Sequence, residues 1–238
     1  MSNARLGYRK VNKNMRKSLV LGIASLALAA GGQGALAATY SYVFSAEFSG
    51  GTPPDATPPW ATLSFSDVAG GVSLSLSLSN LVAPESVKGF YFNFGANPGD
   101  ATTTSRLSGL SFTPTGGDAA TSINTGLNSY KADGDGYFDI RFNYPPGGGF
   151  DAGDQSLYLI SGSSVSAADF NFQSLTGGGN GVWYAAMHVQ NTGSSNGASG
   201  WVGASVSPIP EPRSYAMLLA GLGLLALWVR RRQTEARA

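Results

Sequence analysis

Val72-Ser73-Leu74-Ser75-Leu76-Ser77-Leu78-Ser79 is an unbroken alternation of apolar and hydroxyl side chains. Side chains of an extended backbone point alternately to opposite faces, so the valine and leucines share one face and the serines the other. One dry face and one wet face is the pattern of a half-buried antiparallel strand. Working outward, Tyr40, Tyr42, Phe44, Ala46 and Phe48 alternate through 39–48. A loop holding Pro53, Pro54, Pro58 and Pro59 follows, then an extended segment with Trp60, Leu63 and Phe65. Asp67 to Gly71 reads as a turn. Phe90, Phe92 and Phe94 share a face within 87–94, and Phe138, Ile140, Phe142 and Tyr144 do so within 137–144, opposite Asp139, Arg141 and Asn143. Further strands are expected at 107–113, 156–161, 169–175, 181–190 and 200–206. No stretch between Ala38 and Ser207 sustains a 3.6-residue apolar period over three turns. About eight to ten short strands with turn signals between them predict an all-β domain, an antiparallel β-sandwich of jelly-roll type.

Both ends of the 238-residue chain stand apart from this pattern. Residues 1–37 read as a secretory signal peptide, which forms a helix. Arg5, Arg9, Lys10, Lys13, Arg16 and Lys17 make a basic first part, Ser18 to Ala30 an apolar middle, and Ala35-Leu36-Ala37 an A-x-A cleavage site. The mature protein then begins near Ala38, and the exported domain covers 38–206. The alternative is an uncleaved N-terminal anchor, against which stand the short apolar stretch and the small residues after it.

The tail, 207–238, has four parts in order: Pro210-Glu211-Pro212, a short spacer, an apolar run from Tyr215 to Val229, and Arg230, Arg231 and Arg232. The prolines remove two backbone donors and keep the triplet extended. The run can close its own hydrogen bonds as a transmembrane helix over 215–229. The arginines mark a cytoplasmic end. Fifteen residues at about 1.5 Å each span roughly 22 Å, short of the roughly 30 Å hydrocarbon core. That length suits a transient span better than a permanent anchor, although a plain single-pass anchor is the competing reading.

This layout resembles the PEP-CTERM protein-sorting signal. The resemblance is confined to the tail, with Pro210, Glu211, Pro212 and Arg230 to Arg232 in the positions of the sorting motif. It implies an exosortase as partner, an integral-membrane cysteine protease or transpeptidase that processes such tails. It also implies transient residence in the inner membrane of a Gram-negative cell, then delivery to the envelope, surface or extracellular matrix in the company of exopolysaccharide. It implies nothing about the task of the preceding domain.

Between the two ends lie twelve of the fourteen acidic residues but only four of the fifteen basic ones, Lys88, Arg106, Lys131 and Arg141, a formal charge of four minus twelve, or −8. Phosphate contacts need clustered Lys or Arg, so nucleic acid is not an expected partner. The chain has no cysteine and one histidine, His188. Thiol catalysis and cysteine-ligated metals are excluded, and no nucleophile and base pair can be composed around His188. A glycosidase pair of carboxylates stays open, with nothing to single one out.

Asp133, Asp135 and Asp139, in DGDGYFD, offer oxygen ligands around a glycine turn, the donor type a calcium ion takes. The competing reading is a hairpin in which Asp-Gly supplies positive φ. Asp151 and Asp154 form a second, weaker pair. Trp60, Trp183 and Trp201 could stack on sugar rings or fill a core. The domain is expected to be structural or adhesive and not an enzyme. The rival reading is a module that binds exopolysaccharide, and a secreted hydrolase is a more distant one.

Overall fold

The computed structural model describes residues 37–95, 101–145, 149–179, 181–206 and 221–223. The chain divides into Met1–Ala37 and Ala38–Ala238, and every strand belongs to the second unit. The signal sequence lies outside the described residues apart from Ala37. The expected transmembrane helix 215–229 does too, apart from 221–223, which are helical. Among the described residues no helix is long and apolar enough to cross a membrane.

The strands are β1 (Thr39–Glu47), β2 (Ala61–Val68), β3 (Gly71–Leu78), β4 (Ser86–Phe92), β5 (Ser111–Gly117), β6 (Ser122–Ala132), β7 (Asp135–Asn143), β8 (Gln155–Ser161), β9 (Ala185–Thr192) and β10 (Ala198–Val206). A short helix, α1 (Ala101–Ser108), precedes β5, and a 3-10 turn, Ala167–Phe170, follows β8. All the strands form one antiparallel sheet in the order β5-β8-β3-β2-β1-β10-β9-β4-β7-β6. The all-β expectation holds at this level. The hydrogen bonds do not divide the strands into two sheets, because β1 pairs with β10 and joins the halves.

The alternation in 72–79 sets the register at the middle of one half. In β2 and β3, Ala61 pairs with Leu78, Leu63 with Leu76 and Phe65 with Leu74, all buried, while Ser64 pairs with Ser75 and Ser66 with Ser73 outside. A one-residue slip would turn the whole apolar set to water, so the pattern specifies the pairing. The apolar face is then buried by curling. Phe142 on β7 meets Phe112 on β5 at 5.5 Å and Tyr158 on β8 at 5.0 Å, both edge to face. Phe65 on β2 faces Phe92 on β4 at 5.3 Å, and Phe44 on β1 faces Phe90 at 6.2 Å. Strands far apart in the sheet thus share one aromatic core.

The chain that links β5 to β6 fastens this closure. The Tyr158 hydroxyl accepts a hydrogen bond from Ala120 N at 2.7 Å, and Ser156 Oγ, itself bonded to Tyr144, donates to Asp118 O at 2.6 Å.

Two expectations are corrected, and one strand is added to them. The strand expected at 107–113 splits into the end of α1 and the start of β5. Among the described side chains of α1 only Thr103 and Leu107 are buried, a single i, i+4 pair, too short to print a helical period. The strand expected at 169–175 does not form: its first two residues end the 3-10 turn, where Asp169 reaches back to Ser166 N at 2.8 Å and Phe170 turns inward to stack on Phe65 at 4.5 Å, and the rest is irregular chain with a single bridge from Leu175 to Tyr137. Strand β6 was not expected at all; it lies at the sheet edge with register shifts on both sides of Tyr130, which scramble its alternation.

Phe142 touches both halves of the sheet, so Phe142→Ala should lower the unfolding free energy by about 3–5 kcal/mol in urea titrations. The outward Ser75→Ala should change it by less than about 0.5 kcal/mol.

Candidate functional site

The DGDG stretch resolves into a hairpin. Ala132 pairs with Asp135, and the two residues between them, Asp133 and Gly134, have φ of 50° and 76°. Positive φ at both central positions is the mirror-image turn that matches strand twist, and Asp-Gly is a favoured pair for it. Asp133 is exposed at the tip. Asp135 is buried, and its Oδ1 accepts hydrogen bonds from the amides of Gly136 (2.9 Å), Gly178 (2.6 Å) and Gly179 (3.1 Å). The segment 177–179 lies against the hairpin so closely that a Cβ on Gly178 would sit 2.9 Å from the Gly134 carbonyl oxygen.

Asp139 serves a different place. Its Oδ1 accepts from Asn128 N at 2.6 Å and its Oδ2 from Phe94 N at 3.0 Å, joining β6 to the end of β4. Burial pushes its carboxyl above the ordinary value, and the two amides pull part of the way back. The expected calcium cluster is therefore not assembled: the two buried carboxylates turn to separate sets of amides and the third points to solvent. Among the described residues no group of three His, Asp or Glu comes together as a metal site. Asp151 and Asp154 also serve a turn, with Asp154 Oδ2 accepting from Asp151 N at 2.8 Å.

Asp139 does lie at a cleft, a cavity of about 250 Å³. Asn128 and Gln173 border it beside Phe94, Phe172 and Leu175. These residues offer amide donors and acceptors around one buried carboxylate, with an apolar wall. Among the described residues Asp139 is the one carboxylate that lines the cleft, whereas glycoside hydrolysis uses a facing pair.

His188 and the tryptophans occupy other ground. Trp60 is buried in the main core, its Nε1 donating to Ala56 O at 2.6 Å. On the outer face of the sheet, Trp201 pairs with His188 across β10 and β9, the rings stacked at 4.7 Å and 15°. Burial and nearby Lys88 push the His188 pKa down, which favours neutral imidazole at pH 7. Trp183 lies flat over Gly203, where a Cβ would come within 2.3 Å of its ring, and stacks on Phe48 at 5.4 Å. Tyr184 precedes β9 and stacks on Tyr42 at 4.9 Å. Two of the three tryptophans thus make a secondary outer cluster with Tyr91 and Phe138, and the third is core.

Several residues with structural duties were not singled out by sequence reasoning. Glu85 is buried and accepts from the amides of Asp55 and Val82, at 2.7 and 2.8 Å. Asp67, at a strand end, accepts from Ala167 N across the fold at 2.7 Å. The signal that could have found them is weak: an acidic residue beside a turn, whose partners lie far along the chain.

Asp139 has its folded pKa above its unfolded one, so its contribution to stability is largest below the ordinary carboxylate value and is lost as pH rises through the raised value. The gap in urea midpoint between wild type and Asp139→Asn should therefore move against the wild type from pH 4 to pH 7. Calcium and chelator should both leave the melting temperature of the protein unchanged, as followed by circular dichroism.

No curated protein and no solved structure matches the chain. Residues 208–233 match the family model of the PEP-CTERM protein-sorting motif, a stretch that takes in Pro210, Glu211 and Pro212 and the arginines Arg230 to Arg232. The tail of this protein is a PEP-CTERM sorting motif, and it suggests an exported protein sorted to the cell envelope or surface by an exosortase.

Proposed function

We propose that the chain is exported by its N-terminal leader, held briefly in the inner membrane by the helix 215–229, and cut near Pro210 to Pro212 by an exosortase. The product is a surface or matrix component whose β domain is structural or adhesive and has no catalytic role. The observation that carries this reading is the motif match at 208–233. The limits of the sheet agree with it: β1 begins at Thr39 and β10 ends at Val206, so cuts at both ends would leave every strand whole. The curled sheet is read as a jelly-roll-like sandwich whose two halves act as its layers.

The side chains support a structural role. Asp135 and Asp139 are committed to backbone amides, and His188 is stacked against Trp201. Ser64, Ser66, Ser73 and Ser75 dress the outside of β2 and β3 in hydroxyls, suited to a hydrated polymer matrix.

Intact mass and C-terminal peptide mapping of the protein from its native envelope test the sorting step. A mature C-terminus close to Pro212, lacking Tyr215 to Val229, is expected, and Glu211→Ala should leave the full tail attached. Recovery of the wild-type chain with Arg230 to Arg232 in place would make the tail a plain anchor and end the proposal.

A further inference from the structure

The start of the folded domain is tied down by one carboxylate. Ala38 N donates to Asp67 Oδ2 at 3.3 Å, while Asp67 N donates back to Ala38 O at 2.9 Å. The next residues continue the pairing, Thr39 opposite Ser66, with their hydroxyl oxygens 3.0 Å apart. The other oxygen of Asp67 accepts from Ala167 N at 2.7 Å and so holds the 3-10 turn against the same corner. Ala38 is the first residue of the compact unit and also the residue that follows the A-x-A site at Ala35 and Ala37.

We infer that Asp67 is a built receptor for the α-ammonium that removal of the leader creates at Ala38. The inference rests on the export reading above. Hydrolysis adds water across the Ala37–Ala38 peptide bond: the water oxygen goes to the Ala37 carbonyl carbon, Ala37 leaves as a carboxylate, and the Ala38 nitrogen takes up protons to become an ammonium. Before the cut, Asp67 Oδ2 faces a neutral amide. After it, the same nitrogen carries a positive charge and more N–H donors, and the contact becomes a charge-assisted hydrogen bond. The other charged groups near the held turn, Asp169 and Arg106, are paired with each other at 2.7 Å. The turn from Val68 to Gly71 carries no charge, and Tyr40 is the titratable residue next along β1. Asp67 is thus the carboxylate placed to take the new charge, and processing strengthens the corner where β1, β2 and the 3-10 turn meet.

An ammonium paired with a carboxylate has its pKa raised in the folded state. The added stability is therefore present at neutral pH and is lost as pH rises through that raised value. The test uses the full chain, expressed with its own leader and recovered after export. The N-terminal peptide is identified by mass, and its reaction with an amine-selective acylating reagent is followed against pH on the folded protein. Ala38 as first residue is expected, with a half-reaction pH above the roughly 7.7–8.0 of an ordinary α-amine. Asp67→Asn, which keeps an oxygen for Ala167 N, should return the midpoint to the ordinary value. A glycine inserted between Ala37 and Ala38 should do the same while leaving Asp67 intact, because it moves the ammonium about 3.5 Å along the chain. A mature N-terminus other than Ala38 overturns the inference together with the cleavage assignment. Equal midpoints in all three proteins, each beginning at its expected residue, overturn the inference alone.

Discussion

A single sheet can bury an apolar face only against itself, and the ring of Phe142 is where this one does so. Phe142 sits on the strand next to one edge of the sheet and touches β5, the strand at the other edge. The aromatic rows of β1, β2 and β4 can face each other only if that curl is maintained, since Phe44 with Phe90 and Phe65 with Phe92 are cross-sheet pairs. The edge-to-face geometry of Phe142 with Phe112 and Tyr158 lets three large side chains share the space without clash. No disulfide assists, so the curl depends on burial and on the polar fastening of the β5–β6 link to Tyr158 and Ser156.

An acidic domain without cross-links puts its carboxylates to a second use. Asp67, Glu85, Asp135, Asp139 and Asp169 each accept backbone N–H groups, and in several cases the two partners come from different parts of the chain. A carboxylate is a strong acceptor with two oxygens, so one side chain can fasten two loops that would otherwise bury unsatisfied amides. This is why the carboxylates that look like metal ligands along the sequence are distributed as ties in the fold. Acid weakens such ties where the carboxylate must be charged to accept well. At Asp139 the desolvation cost of the charge runs the other way.

The outer face of β9, β4 and β10 follows a related economy of space. Gly203 and Gly89 leave bare backbone, and the rings of Trp183 and Tyr91 lie over it, with contacts of 2.3 and 3.1 Å to any Cβ placed there. Ala186, paired with Gly203 on one side and Tyr91 on the other, is a third small residue of this face. The aromatic side chains take the place of the missing ones and give this part of the sheet a second apolar layer.

Much of the strand content was legible in the sequence because alternation is a local consequence of backbone geometry. Val72 to Ser79 needs no partner to declare which side chains point inward, and Phe142 is marked as a core residue by its neighbours Ile140 and Tyr144. The tail was legible for a similar reason: its proline triplet, apolar run and arginines are a linear order read without folding, and the family match covers the same residues. Edge strand β6 was not, since its register shifts replace the period of two with an irregular one, nor was α1, too short to show a period. The destinations of Asp135, Asp139 and Asp67 were decided by tertiary structure alone. Their partners, Gly178, Phe94 and Ala167, lie 43, 45 and 100 residues away, and it is the pairing of β4 with β7, the bridge of Leu175 to Tyr137 and the seating of the 3-10 turn that bring those amides to the carboxylates.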